Sequence, residues 1–194
     1  MLWAWVLAIG LYAAHARGVD DWLSQRDAGV VRQTLDYSCG IASLATILSY
    51  YFSEPVSEQA LLTQYAGEKP DISFDDLAQL ARARGYRALG VSVSYADLLR
   101  LRHPAIVALD LGERQHFSVL RRARADGVTL ADPSWGNHAM HREAFEARFA
   151  IDAEQSRGRV LVILAADGAP GDPDFIDAPR PGALITPGLL LRAR

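Results

Sequence analysis

Residues 33–52, QTLDYSCGIASLATILSYYF, decide how the rest of the 194-residue chain is read. They hold the only cysteine, Cys39, at the junction between a polar turn and an apolar-periodic run. Ile41, Leu44, Ala45, Leu48, Tyr51 and Phe52 recur at helical spacing, which predicts a helix from about Gly40 to Phe52 with one buried face. Cys39 then stands at the helix N-terminus. Unpaired N–H groups and the positive end of the helix dipole favour an anion there, so the thiol ionises more easily. A thiolate is the nucleophile of cysteine chemistry. A lone cysteine is also a common small core residue, so its role turns on what else the chain brings to it.

Half of the residues are hydrophobic and 22% are charged, enough to bury the core of about one domain. The net charge is −3, Lys69 is the only lysine, and the arginines are dispersed. No basic stripe interleaved with aromatics is present, so nucleic acid is not an expected partner. Met1 to Ala16 carries no acidic residue, lysine or arginine. Leu2 to Ala14 is an apolar run ending in the small-x-small site Ala14-His15-Ala16, the pattern of a signal peptide cut after Ala16. The run is short for a membrane span, which needs about 20 residues. An uncleaved anchor or a buried first helix is the competing reading. Export implies an oxidising compartment, where an odd cysteine is either bonded between molecules or reactive.

Along the chain, Gly18 to Gly29 reads as an arm or short helix, and Val30 to Leu35 as an extended piece that places Gln33. Glu54-Pro55 ends the Cys39 helix. Ser57 caps a helix from Glu58 to about Ala66, and Ser73-x-x-Asp76 opens another that Gly85 stops. Alternation then takes over. Tyr86–Val93, Ala105–Leu111, Gln115–Arg122, Gly127–Ala131 and Arg159–Leu164 read as strands, with turns around Gly112 and Asp126. Ser94–Leu101 and His141–Phe149 read as helices. Helices first and an antiparallel sheet afterwards make the fold class α+β. From Asp167 onward, repeated Pro and Gly predict a tail without regular elements. Its stretch Ala183 to Leu191 is apolar enough to dock on the body or on a partner.

Thiol-based acyl transfer needs a nucleophile, a base, a group that orients the base, and donors for the oxyanion. Cys39 is the candidate nucleophile. His116, where a turn enters an apolar strand, is the candidate base. Asp132, at the adjacent strand end, can orient the imidazole. Gln33 can donate its side-chain N–H to the oxyanion beside the Cys39 backbone N–H. His103 precedes Pro104 at a strand start and reads as structural or exposed. His138 and His141 lack a clear third ligand, so no metal is expected, and no cofactor. Asp36 reads as a turn residue.

Gln33-x5-Cys39-Gly40-x-Ala42-x-Leu44-Ala45, then His116-Phe117-x-Val119-Leu120, then Asp132-Pro133-x-x-Gly136, resembles the C39 peptidases. These are papain-like cysteine proteases, best known as leader-cleaving domains of bacteriocin ABC exporters that cut after Gly-Gly. The resemblance covers about Val30 to Leu164. It implies a papain-like fold, a helical half carrying the cysteine packed on a sheet carrying His and Asp. It assigns Cys39 as nucleophile, His116 as base, Asp132 as orienting acid and Gln33 as oxyanion donor. Exporter-linked members usually carry Asp directly before the cysteine; here it is Ser38, with Asp36 three before.

The expected organisation is therefore a signal peptide over 1–16, a C39-like peptidase domain over 17–166 and a Pro/Gly-rich tail over 167–194. We expect no ABC transporter domain in this chain. Together with the signal pattern, it looks like the stand-alone exported members, one group of which accompanies functional-amyloid secretion in Gram-negative bacteria. The expected partners are a peptide or secreted-protein substrate and components of a secretion system, in the periplasm. The expected activity is endopeptidase cleavage after small residues. A second reading makes the same groove a non-catalytic chaperone or adaptor for secretion. A third is transamidation by the same thiol.

Overall fold

Two periods in the sequence become two kinds of layer. The helical half gives α1 (residues 22–27), α2 (Cys39–Thr46), a π-helical turn (Ile47–Tyr51), α3 (Glu58–Gln64) and α4 (Phe74–Ala83). The alternating half gives β1 (Arg87–Ser94), α5 (Tyr95–Leu98), β2 (Ala105–Asp110), β3 (Gln115–Arg124), β4 (Gly127–Asp132), β5 (Gly136–His141), α6 (Arg142–Phe149) and β6 (Arg157–Leu164), followed by α7 (Pro173–Ile176). This computed structural model describes residues 22–65, 72–112, 115–149 and 156–177. The strands form one six-stranded sheet in the order β1-β6-β2-β3-β4-β5, with every pair antiparallel. The class is α+β, as the order of periods predicts.

Both faces of the sheet are covered. On one, Ile41, Leu44 and Leu48 of the cysteine helix meet Leu77 and Ala81 of α4 and the sheet residues Ile106, Phe117, Val119 and Ile163. On the other, Phe145 and Phe149 of α6 stack at 4.9 Å between ring centroids over Val107, Leu120, Leu130 and Val160. Alternate residues of β2 and β3 therefore feed two cores, which is why β2 reads as a near-continuous apolar run.

Four expectations change. The cysteine helix is not one α-helix: α2 ends at Thr46 and continues as a π turn, with Phe52 N–H on the Ile47 carbonyl at 3.1 Å. Ile47, Leu48 and Tyr51 are all buried in this turn, and the Tyr51 hydroxyl meets His103 Nδ1 at 2.9 Å. Val30 to Leu35 forms no strand; it is held irregularly, with Val31 N–H on Thr46 Oγ1 and Gln33 N–H on the Pro133 carbonyl. The strand Gly136–His141 was not expected, because its sequence carries no β-branched residue. Pairing with β4 makes it a strand, a case of context overriding propensity.

The tail is the fourth. Pro173 sits in the first turn of α7, where its missing N–H costs nothing, and Asp172 caps that turn. Asp172 N–H donates to the Tyr51 carbonyl at 2.7 Å, and Phe175 is buried. Gly171 to Ile176 thus dock on the body. Met1 to Ala16, Glu113 and Ala183 to Leu191 lie outside the described residues.

Arg121 fastens both ends of the described chain to the sheet. Only 3% exposed, its guanidinium donates to the carbonyls of Ala28, Gly29 and Phe175 and lies 4.0 Å over the Phe175 ring. Burial pushes it down to about 10, still cationic at neutral pH. Arg121→Ala leaves three carbonyls without this donor and opens a void. It should cost about 3 kcal/mol in urea unfolding, and a loss below about 1 kcal/mol would contradict the clamp.

Candidate active site

The sulfur of Cys39 lies in a nest of donors. Cys39 begins α2 and is 8% exposed. The Phe117 backbone N–H points at Sγ with N···S 3.5 Å, and the Gly40 N–H and the His116 side chain also hydrogen-bond it. Burial pushes the thiol up. Those three contacts and the His116 charge outweigh burial, and the thiol lies below its ordinary range. Ser38, the N-cap, makes no side-chain cap bond, so its hydroxyl leaves the first-turn N–H groups open to other acceptors.

Close packing brings this sulfur to β3. A Cβ at Gly40 would meet Phe117 Cδ2 at 3.0 Å and Leu77 Cδ1 at 3.1 Å. Glycine therefore lets the start of α2 lie against both β3 and α4. Cys39 and Phe117 are 78 residues apart in sequence, so this contact belongs to the tertiary fold alone.

His116 begins β3 and Asp132 ends β4, neighbouring antiparallel strands registered by Val119 opposite Ala131. His116 Nε2 meets Asp132 Oδ2 at 2.8 Å. An ionised carboxylate only accepts, so Nε2 bears the proton and Nδ1 is left for the sulfur. Burial pushes the imidazole down. Hydrogen bonds to Asp132 and Cys39, and their charges, lift it to about 9. Burial pushes the Asp132 carboxyl up, but the His116 hydrogen bond and charge and the Ser134 N–H hold it below its usual value. Its second oxygen, Oδ1, accepts from the N–H groups of Ser134 at 2.8 Å and Trp135 at 2.9 Å.

Gln33 is half-buried against the loop that follows Asp132. Its backbone N–H donates to the Pro133 carbonyl at 3.1 Å. Its side-chain Nε2 donates to the Leu35 carbonyl at 2.9 Å, and its Oε1 accepts from Ser134 Oγ at 2.5 Å. One of its two amide hydrogens is therefore spent on the turn that leads to Cys39.

That turn has a fastener the sequence reading missed. Glu58, 5% exposed at the start of α3, accepts from the Thr34 N–H at 3.1 Å and the Thr34 hydroxyl at 2.6 Å, and from Ser38 Oγ. The Ser38 hydroxyl thus meets a carboxylate carried by α3. The only signal was an acidic residue directly after the Ser57 cap, which reads equally well as a first-turn dipole partner. Asp36 lies in the exposed turn itself. His138 Nδ1 faces the Gly136 carbonyl at 3.1 Å, and His103 serves Tyr51; neither joins Cys39.

Comparison with known proteins identifies the family. The peptidase C39 family model matches residues 27–153. A probable functional amyloid protease FapD of Pseudomonas aeruginosa is 32% identical over 177 residues, covering 88% of this chain and 71% of that one. The protein of the same description from Pseudomonas fluorescens is 30% identical, covering 75% and 69%. Among solved structures, the peptidase domain of Streptococcus ComA, a bifunctional ABC transporter involved in quorum sensing, has a TM-score of 0.61 at 20% identity, covering 70% of this chain and 97% of that one. A double glycine motif protease from an AMS/PCAT transporter, solved with its leader peptide, has a TM-score of 0.59 at 24% identity, covering 69% and 89%. With this fold and these matches, the chain belongs to the peptidase C39 family and is a cysteine peptidase.

Proposed function

We propose that the protein is an exported endopeptidase that cuts a secreted protein or leader after small residues, Gly-Gly foremost, with Cys39, His116, Asp132 and Gln33 as its working groups. The observation that carries this is one imidazole shared between a buried sulfur and a buried carboxylate. As imidazolium, His116 holds Cys39 as thiolate. The thiolate attacks the scissile carbonyl. The oxyanion is held by the remaining Gln33 amide hydrogen and the Cys39 N–H; one such donor is worth about 10²–10³-fold. His116 passes its Nδ1 proton to the leaving amine, then takes one from the water that hydrolyses the thioester. Such acid–base help is worth about 10²–10⁴-fold.

Relatives described as functional amyloid proteases support a secreted substrate, and a structural neighbour solved with a leader peptide supports an extended one. Export to the periplasm rests on the Met1 to Ala16 pattern. A non-catalytic adaptor would need neither the imidazole on the sulfur nor the carboxylate behind it.

Protein recovered from the periplasm of an expressing Gram-negative host should begin at Arg17 by mass spectrometry and cleave Gly-Gly-containing exported proteins. Cys39→Ala should lower cleavage by at least about 10³-fold with binding retained. Binding without cleavage by the native chain would favour the adaptor, and an uncut N-terminus would refute export by signal peptide.

The pH profile follows from the shifts. Cys39 titrates below its ordinary value and His116 near 9. kcat/KM should rise on the acid side as the pair forms and fall on the alkaline side near 9 as the imidazolium is lost; these limbs belong to the pair. The raised His116 value also means its stabilisation is full below the ordinary value of 6.5 and fades as pH rises through about 9. Asp132→Asn should move the alkaline limb downward; an unmoved limb would contradict the carboxylate's role.

A further inference from the structure

The loop after Asp132 contacts both halves of the site through one residue. Ser134 N–H donates to Asp132 Oδ1 at 2.8 Å, while its hydroxyl lies 2.5 Å from Gln33 Oε1. The same loop accepts the Gln33 N–H at Pro133 and an Arg32 guanidinium N–H at the Ser134 carbonyl. Ser134 therefore spans the acid that orients the base and the amide that would meet the oxyanion.

A glutamine amide has a donor end and an acceptor end, and only the donor end can stabilise an oxyanion. The contacts determine which way it faces. The Leu35 carbonyl can only accept, so the atom 2.9 Å away must be Nε2. Oε1 then faces Ser134, and the hydroxyl must donate. Turned over, the amide would set Oε1 against the Leu35 carbonyl. Without the serine hydroxyl, nothing described holds Oε1, and the amide keeps only its Leu35 contact, about which the second hydrogen can swing.

We propose that Ser134 is a positioning residue of the peptidase reaction, whose hydroxyl locks the Gln33 amide with its N–H toward the oxyanion. This rests on the reading of Gln33 as oxyanion donor. Ser134→Ala keeps the backbone N–H on Asp132, so it leaves the His116–Asp132 pair and the thiolate in place. The effect is confined to steps in which negative charge forms on a carbonyl oxygen.

A short peptide aldehyde ending in Gly-Gly separates the two kinds of step. The thiolate adds to the aldehyde carbon, the π pair moves to oxygen, and the alkoxide, once protonated, is a reversible hemithioacetal with no leaving group. Alkylation by iodoacetamide uses the same sulfur and forms no oxyanion. In Ser134→Ala, aldehyde affinity should fall roughly tenfold, while alkylation rate and its pH midpoint stay within about twofold. Ser134→Thr should restore affinity to within about threefold. In a Gln33→Ala background, Ser134→Ala should add less than about twofold, as expected for groups that act as a unit. Equal aldehyde affinity in Ser134→Ala and native protein, or a full tenfold loss repeated in the Gln33→Ala background, overturns the proposal. A native protein that is alkylated but forms no aldehyde adduct overturns the oxyanion reading itself, and so tells the two failures apart.

Discussion

The His116 ring is held between two groups that both become acidic in its presence, and the rest of the site is arranged to keep it there. Each of the three ionisable groups is disfavoured by burial on its own account: the thiol and the carboxyl are pushed up and the imidazole down. Only together do the shifts reverse. Asp132 and Cys39 lift the imidazole, and the imidazolium lowers both of them. A charge taken out of water survives only when paired and hydrogen-bonded. Removing any member should therefore change the protonation of the other two.

That pairing requires the start of α2, the start of β3 and the end of β4 to stay in register, and the means are local. Gly40 lets the cysteine helix approach Phe117 and Leu77 within contact distance. Glu58 ties the turn before Cys39 through Thr34 and Ser38. Gly136, at φ +81, turns the chain from the Asp132 loop into β5, and a Cβ there would lie 2.6 Å from the Arg26 carbonyl. The N-terminal approach and α7 are in turn pinned by Arg121. Helix and strand ends thus carry Cys39, His116 and Asp132, while irregular segments carry Gln33 and Ser134.

Much of this was legible in the sequence. The helical half and five of the six strands follow from periodicity, and the meeting of His116 with Asp132 from residue types at neighbouring strand ends. The Gly136–His141 strand was not, because its partner strand rather than its own side chains makes it one. The π turn was hidden because Ile47, Leu48 and Tyr51 suit an α-helix as well. Glu58 and Ser134 carry no pattern of their own. The Ser38–Glu58 and Gln33–Ser134 side-chain contacts join residues 20 and 101 apart in sequence, which no local rule encodes. Pro173 misled in the opposite direction, since a proline that breaks a helix interior is welcome in its first turn.

The central claim is that the sulfur and the imidazole of the resting protein form a charged pair sustained by Asp132. Nitrogen-15 NMR of histidine-labelled protein reads this directly through the His116 ring. Both ring nitrogens should remain protonated through neutral pH and titrate near 9, and Cys39→Ala should lower that midpoint. A ring that deprotonates near its ordinary value of 6.5, with or without the sulfur, would contradict the account.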